Sequence, residues 1–220
     1  MWESFGFEFI NFYFIPGLVL GCIYALGAIG ITLTFGILRF ANFSHGEIMM
    51  TSSYLTWESM VISASLGFIV HPLVGAIPAC LCAILLALLV DRFFYKPFRN
   101  SPTIIIVIAS FGMMLIIRSM VQVVWGPNQL TFVKGIAKPN PYIKDLTASF
   151  DLMLLIPNKH FLILIGTIII MLIFNYILSS TKIGKGMRAV SDNPDLAKVS
   201  GIDVENIIRA TWIVGGFCAA

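Results

Sequence analysis

F-Y-F-I-P-G-L-V-L-G-C-I-Y-A-L-G-A-I-G-I-T-L-T-F-G-I-L, from Phe12 to Leu38, contains no charged residue. A helix needs about 20 apolar residues to cross a bilayer, so this run is long enough to span. Similar runs recur at about 48–70, 73–94, 103–125 and 161–178, and a sixth opens near residue 210 and is still apolar at Ala220. Composition agrees: 58% of the chain is hydrophobic and 11% charged, where a soluble domain carries about 25% charged residues. The alternating segments of about 10 residues that mark a β-barrel are absent. The chain therefore reads as an all-α polytopic membrane protein, a multi-span helical bundle making one transmembrane domain over 1–220, with a polar segment at 179–209.

The first span carries Gly17, Gly21, Gly27, Gly30 and Gly36, and small residues let helices approach closely in lipid. Pro72 marks the turn after the second span, and Gly126-Pro127 ends the fourth. A polar stretch from Asn128 to His160 holds Pro139, Pro141 and Pro157; within it, Leu152 to Ile156 is too short to span. Cys22, Cys80, Cys82 and Cys218 all lie in apolar runs and are read as small core residues, not metal ligands or disulfides. Glu3 and Glu8 precede the first span and no Lys or Arg does, so it lacks the n-region of a cleaved signal and is expected to be retained.

The net charge of +3 is small and the basic residues sit mostly in loops, which fits membrane topology and gives no nucleic-acid footprint. Arg92, Lys96 and Arg99 follow the third span; Lys182, Lys185, Arg188 and Lys198 follow the fifth. Both sets fall on the cytoplasmic side if the N-terminus is outside. Lys134, Lys138, Lys144 and Lys159 oppose this, but they are dispersed along a long loop.

Three features carry possible work. Asn42, Ser44, His45, Gly46 and Glu47 cluster hydrogen-bonding groups between the first two spans. They read either as an ordinary turn, capped by Ser44 or Asn42, or as a broken-helix element near a transport path. Along the second span Glu47, Thr51, Tyr54, Glu58 and Ser65 share an arc of about 60°. A polar stripe that narrow belongs against the bundle interior or a water-filled path, and Glu58 near mid-span is either a functional carboxylate or the ion-pair partner of Arg118.

The third feature is the polar segment. Asp192 or Asn193 can cap a two-turn helix, Pro194 to Ser200, that starts at Pro194 and stops at Gly201. Its Leu196 and Val199 share one side, which makes it a docking knob or a helix lying on the bilayer. Gly184-Lys185-Gly186 does not complete a phosphate-binding loop. No nucleophile elbow or paired metal motif is present, so no catalytic or metal residues are assigned and no cofactor is expected on this chain.

G-x-x-x-G-x-I-Y-A-L-x-A-I-G-I-T-L-T-F-G-I (Gly17 to Ile37), A-N-F-S-H-G-E after it, Y-K-P-F-R-N-S-P-T (Tyr95 to Thr103) and G-K-G-M-R-A-V-S-D-N-P-D-L-A-K-V-S-G-I (Gly184 to Ile202) closely resemble, in this order, the inner-membrane permease of bacterial branched-chain amino-acid ABC importers, the LivH type. The resemblance implies a translocation subunit, not an enzyme. It would work with a second related permease, two cytoplasmic ATPases that use the ATP, and a periplasmic substrate-binding protein. It places 179–209 as the ATPase-coupling segment, with contacts from Arg188, Asp192, Asn193, Pro194, Leu196, Ala197, Gly201 and Ile202. It also draws Asn42 to Glu47 toward the substrate path. Members of this family run on for several Gly-rich spans beyond the position of Ala220, so the chain reads as an incomplete copy of a longer permease. Urea and short-amide permeases are similar, so these substrates stay open, as does an ion-coupled transporter or channel built on Glu58 and Arg118.

Overall fold

The computed structural model describes residues 8–68, 71–99, 101–128, 130–132 and 157–220. The short apolar piece at 152–156 and the lysines at 134, 138 and 144 lie outside them. Among the described residues eight α-helices form: α1 (Ile15–Leu38), entered through a π-helical turn at Phe9–Phe14; α2 (His45–Ser65); α3 (Pro72–Val90); α4 (Thr103–Trp125); α5 (Asn158–Ser180); α6 (Lys182–Asp192); α7 (Pro194–Val199); and α8 (Val204–Cys218). The segments Phe9–Leu38, Pro72–Phe98, Thr103–Trp125 and Lys159–Ser180 are long and apolar enough to cross a membrane.

The chain divides into two compact units, one of Met1–Leu26 with Val133–Tyr176 and a larger one of Gly27–Phe132 with Ile177–Ala220. In the smaller unit Phe9 stacks on Tyr13, and Val19, Thr167 and Phe174 are buried. The larger unit holds both of the buried apolar clusters described below and is the one that carries the candidate site.

Its core is built on α3, whose two faces are opposite to those of a soluble helix. Ala79, Ala83 and Ala87 are each 1% exposed, while Ile77, Leu81 and Leu85 are about 60% exposed. Lipid is as apolar as leucine, so large side chains gain little by turning inward; small ones turned inward let backbones meet. Gly216 of α8 meets this alanine row so closely that a Cβ there would lie 2.9 Å from the Ile84 Cα and 3.2 Å from the Ala87 Cβ. Around the contact Phe40, Ile48, Val90, Tyr95, Ile106, Ile117, Trp212 and Ala219 close one cluster. Ile37, Met187, Val190, Ala197 and Ile207 close a second, which binds α6 and α7 to α8 and the end of α1.

α2 follows the other solution to lipid. At 21 residues it is long enough to span, but it is too polar to stand with the four apolar helices. Thr51, Ser53, Thr56 and Ser63 each donate to the carbonyl four residues back, and Ser59 and Ser65 to the one three back, so these hydroxyls are satisfied within the helix. The Ser59 hydroxyl also lies 3.0 Å from the Gly75 carbonyl, which ties α2 to α3.

Several boundaries differ from expectation. The second span stops at Ser65, followed by Gly67 at φ 85°, instead of running to Val70. Pro72 does not sit in a turn; it opens α3, with the His71 imidazole accepting from the Leu73 N–H. The third span continues past Val90 as a π-helical turn to Tyr95 and a 3-10 turn to Phe98. The last helix begins at Val204, six residues before the apolar run. Of the four cysteines Cys218 is buried, Cys22 and Cys80 are half-buried and Cys82 is exposed, so the core assignment fails for Cys82.

Replacing Gly216 with Val forces α8 off the alanine row. We expect a loss of about 1–3 kcal/mol, the usual cost of overpacking, read as a lower thermal unfolding midpoint in detergent.

Candidate functional site

The expected path and coupling residues fall into three groups, all in the larger unit. The first is a buried knot at the start of α2. Asn42, Ser44 and His45 are 3%, 0% and 2% exposed. The Asn42 side-chain oxygen accepts from the Ser44 N–H at 3.2 Å, the Ser44 hydroxyl at 2.7 Å and the Tyr95 hydroxyl at 2.9 Å. The Ser44 and Tyr95 hydroxyls are 3.0 Å apart. Ser110 of α4 accepts from the Phe43 N–H and donates to the Ala41 carbonyl, so the turn's backbone is satisfied by a third helix. Tyr95 itself is clamped between Trp212, stacked at 5.4 Å, and Phe40 at 5.1 Å. The Ser44 side chain does not cap α2; its oxygen is engaged by Asn42 and Tyr95.

His45 lies against Gly30 of α1. A Cβ on Gly30 would be 2.5 Å from the imidazole Cε1 and 3.3 Å from the Cys218 Cβ, so glycine is required there by space. The His45 Nε2 and the Asn42 amide nitrogen are buried without a partner among the described residues. Gly46 is exposed and has open space around it.

The second group is the α2 stripe, which faces α4. Thr51 donates back to the Glu47 carbonyl, Tyr54 meets the Trp125 ring at 5.6 Å, and Glu58 accepts from the Trp125 indole at 3.1 Å. The pairing of Glu58 with Arg118 does not form. Arg118 has its nearest carboxylate in Glu47, at 4.0 Å, and stays 57% exposed. Arg118 lies seven residues, about two turns, from Trp125, which puts it beside the Glu47 end of α2.

The third group is the coupling segment. Its first half, expected only as a polar stretch, is the amphipathic helix α6, capped by Thr181, whose hydroxyl accepts from the Gly184 N–H. Gly184 and Gly186 are there for close approach: a Cβ at 184 would collide with the Ile177 and Leu178 carbonyl oxygens, and one at 186 with the Ile207 side chain. The α7 cap is Asn193, which accepts from the Asp195 and Leu196 N–H groups. Asp192 leaves the cap to it and ends α6. Gly201, at φ 82°, stops α7, and Ile202 N–H returns to the Ala197 carbonyl. Ala197 is buried, whereas Leu196 and Val199 are 64% and 88% exposed.

Two links missed by sequence reasoning tie this segment down. Arg39, a non-glycine residue at φ 57°, ends α1 and donates from one guanidinium nitrogen to the Ser191 and Asp192 carbonyls, both at 3.1 Å. It thereby neutralises the negative C-terminal end of α6. Ser191 donates in turn to the Gly36 carbonyl at 2.9 Å. The second link is ionic. Arg99 holds the 6%-exposed Asp91 at 2.6 Å and Glu205 at 2.8 Å, and Lys96 also reaches Glu205. The basic loop counted only as a topology signal is thus partly neutralised by acids from α8 and from the end of α3. The Lys96 hydrogen bond holds the Glu205 carboxyl below its ordinary value of 4.5; partial burial opposes this, and Arg99 adds to it.

The turn at 39–44, the connection at 91–102 and the segment at 181–203 therefore gather at one end of the larger unit, joined by Tyr95, Arg99 and Arg39. An apolar bundle whose basic connecting segments gather at one end, with a capped helix exposing two apolar side chains there, has the form of a multi-pass membrane protein of the permease class. The family described as "Branched-chain amino acid transport system / permease component" matches residues 13–220, and the chain belongs to that family. It is 28% identical to the high-affinity branched-chain amino acid transport system permease protein LivH of Salmonella typhimurium, over 93% of this chain and 66% of the relative. It is 27% identical to BraD of Pseudomonas aeruginosa, over 94% and 67% of the two chains. It is also 27% identical to a probable LivH of Methanocaldococcus jannaschii, over 87% and 58%. The chain thus spans about two thirds of the length of the curated relatives it matches. No solved structure matches it.

Two measurements test the knot and the ion cluster. Tyr95→Phe removes the hydroxyl shared by Asn42 and Ser44, and we expect it to lower stability by about 1–2 kcal/mol. Glu205→Gln removes a partly exposed pair worth about 0.5–1 kcal/mol. Because the folded carboxyl titrates below 4.5, that contribution is present above 4.5 and fades as pH falls through the lowered value. The unfolding difference between wild type and Glu205→Gln is expected at pH 7 and should close as the pH is taken well below 4.5.

Proposed function

We propose that this chain is a translocation subunit of an ATP-driven importer of branched-chain amino acids in a bacterial inner membrane. It would act with a second related permease, two cytoplasmic ATPase subunits that hydrolyse the ATP, and a periplasmic substrate-binding protein. Family membership supports the transport role, and the names of the relatives supply the substrate class. The observation that carries the coupling role is α7. Its buried Ala197 packs it against the larger unit and its Asn193 cap closes its first turn, while Leu196 and Val199 stand 64% and 88% exposed. A helix of six residues that presents two apolar side chains is a contact for a protein partner; it is too small to be a bilayer anchor.

The polar end then faces the cytoplasm, because Arg39, Lys96, Arg99, Lys182, Lys185, Arg188 and Lys198 belong to its segments, and the N-terminus faces outside. A push on α7 would pass through Ala197 to α8, and through the Arg39 and Ser191 contacts to α1. Rocking of these helices would open and close a path along the α2 stripe, with Glu47, Thr51, Tyr54 and Glu58 beside it. No covalent chemistry is required of this chain. The ion-coupled alternative drew on a Glu58–Arg118 site, and the Glu58 contact with Trp125 removes that basis.

The test is leucine uptake into proteoliposomes holding the assembled complex and its binding protein. Uptake is expected only with ATP and the ATPases; uptake without them would overturn the reading, and competition by urea in place of leucine would change the substrate. Gly201→Val puts a β-branched residue at φ 82°, and Leu196→Glu puts a charge on the knob. Each is expected to reduce ATPase co-purification several-fold while membrane insertion is unchanged.

A further inference from the structure

A groove of about 450 Å³ runs between the second half of α1 and α6. Its floor is Ala28, Thr32, Leu33 and Gly36 of α1 with Leu178 and Met187, and Arg188 stands on its rim. From Ala28 to Ile37 the floor is about 13 Å long at 1.5 Å per residue, the reach of a good part of one lipid chain. Thr32 spends its hydroxyl on the Ala28 carbonyl, so it offers the groove chiefly its methyl side.

Arg188 is the charged residue that lines the groove, and the exposed face of α6 running back from it is basic. Lys182, Lys185 and Arg188 recur every third residue on the exposed side of α6 and fan over about 120° from the groove edge. Arg188 donates to the Ser179 carbonyl at 3.2 Å, and among the described residues none of the three is ion-paired with a carboxylate. Asp192, one turn beyond Arg188, is the acidic group of that helix. The apolar run of α5 ends at Ser179-Ser180, where Thr181 turns the chain into α6. The basic rim therefore lies where the membrane-crossing segment ends, the depth at which hydrocarbon gives way to lipid headgroups.

We propose that this groove seats an anionic phospholipid, with one acyl chain lying along α1 and the phosphate held by Arg188 and Lys185, with Lys182 beyond them. The apolar length of the floor, together with the basic face of α6, selects a lipid over a free anion, and an anionic headgroup over a zwitterionic one. Each Lys or Arg at an anionic lipid surface is worth about five-fold in affinity.

The experiment is native mass spectrometry of the full chain in mild detergent, titrated with dioleoylphosphatidylglycerol or dioleoylphosphatidylcholine. We expect at least about five-fold preferential retention of the anionic lipid. Lys182→Gln with Lys185→Gln should lower that retention about 5- to 25-fold and leave phosphatidylcholine unchanged, whereas Thr32→Leu, which fills the floor, should lower both. Unfolding midpoints equal to wild type confirm that the variants are folded, and Lys182→Gln alone gives a milder step. Equal retention of the two lipids, or anionic retention unmoved by the variants, overturns the proposal. So does displacement of the lipid by excess inorganic phosphate, which would mean that only the rim binds, or its loss on addition of a partner permease, which would mean that protein fills the groove.

Discussion

Helices in a bilayer cannot be drawn together by hiding oil from water, and the larger unit depends on the alternative, backbone contact over small side chains. Ala79, Ala83 and Ala87 on α3 leave room for Gly216 on α8, and Gly30 on α1 leaves room for His45 at the head of α2. These approaches bring α1, α2, α3 and α8 close enough for the polar groups between them to meet. The hydrogen bonds among Asn42, Ser44 and Tyr95 form because the helices carrying them are already close. In a low-dielectric setting each such bond is strong once formed and costly if lost.

The polar end is fastened by different chemistry. There the constraint is charge: Arg99 spans Asp91 and Glu205, and Arg39 meets the carbonyls that close α6. Arg99 joins 91–99 to 203–205, Arg39 joins 39–44 to 191–192, and the Tyr95 bond to Asn42 links the two pairs. A force arriving at α7 thus meets a stiff frame rather than a set of loops, which suits a segment proposed to transmit motion.

Much of this was legible in the sequence, and for stated reasons. The apolar runs at 12–38, 73–94, 103–125 and 161–178 mark the four helices long and apolar enough to cross a membrane, while the run at 48–70 is too polar to stand with them; Asn193, Pro194 and Gly201 gave α7 nearly to the residue, because caps and stops are local chemistry. α6 was not legible, since two of its four buried positions are glycines, which are poor helix formers and read as loop. Glu205 was missed because it pairs with residues over a hundred positions away, and Lys96 and Arg99 already had a reading as topology signals. The Arg118 partnership failed for a similar reason: both residues were placed in spans, but depth within a span is fixed by which turns of α2 and α4 meet. The His45 turn was open between cap and path, and the structure adds that its hydrogen bonds reach Ser110 and Tyr95, the latter read in the sequence only as the first residue of a family-like motif.

The composition of α2 has a consequence for biogenesis. With two carboxylates and a run of hydroxyls, it would leave the protein-conducting channel for lipid unwillingly by itself, yet Ser59 reaches the Gly75 carbonyl of the neighbour that follows it in the chain. α2 and α3 therefore suit release as a hairpin, the greasier partner escorting the wetter one, so a ribosome stalled before Pro72 would strand α2 at the membrane's edge.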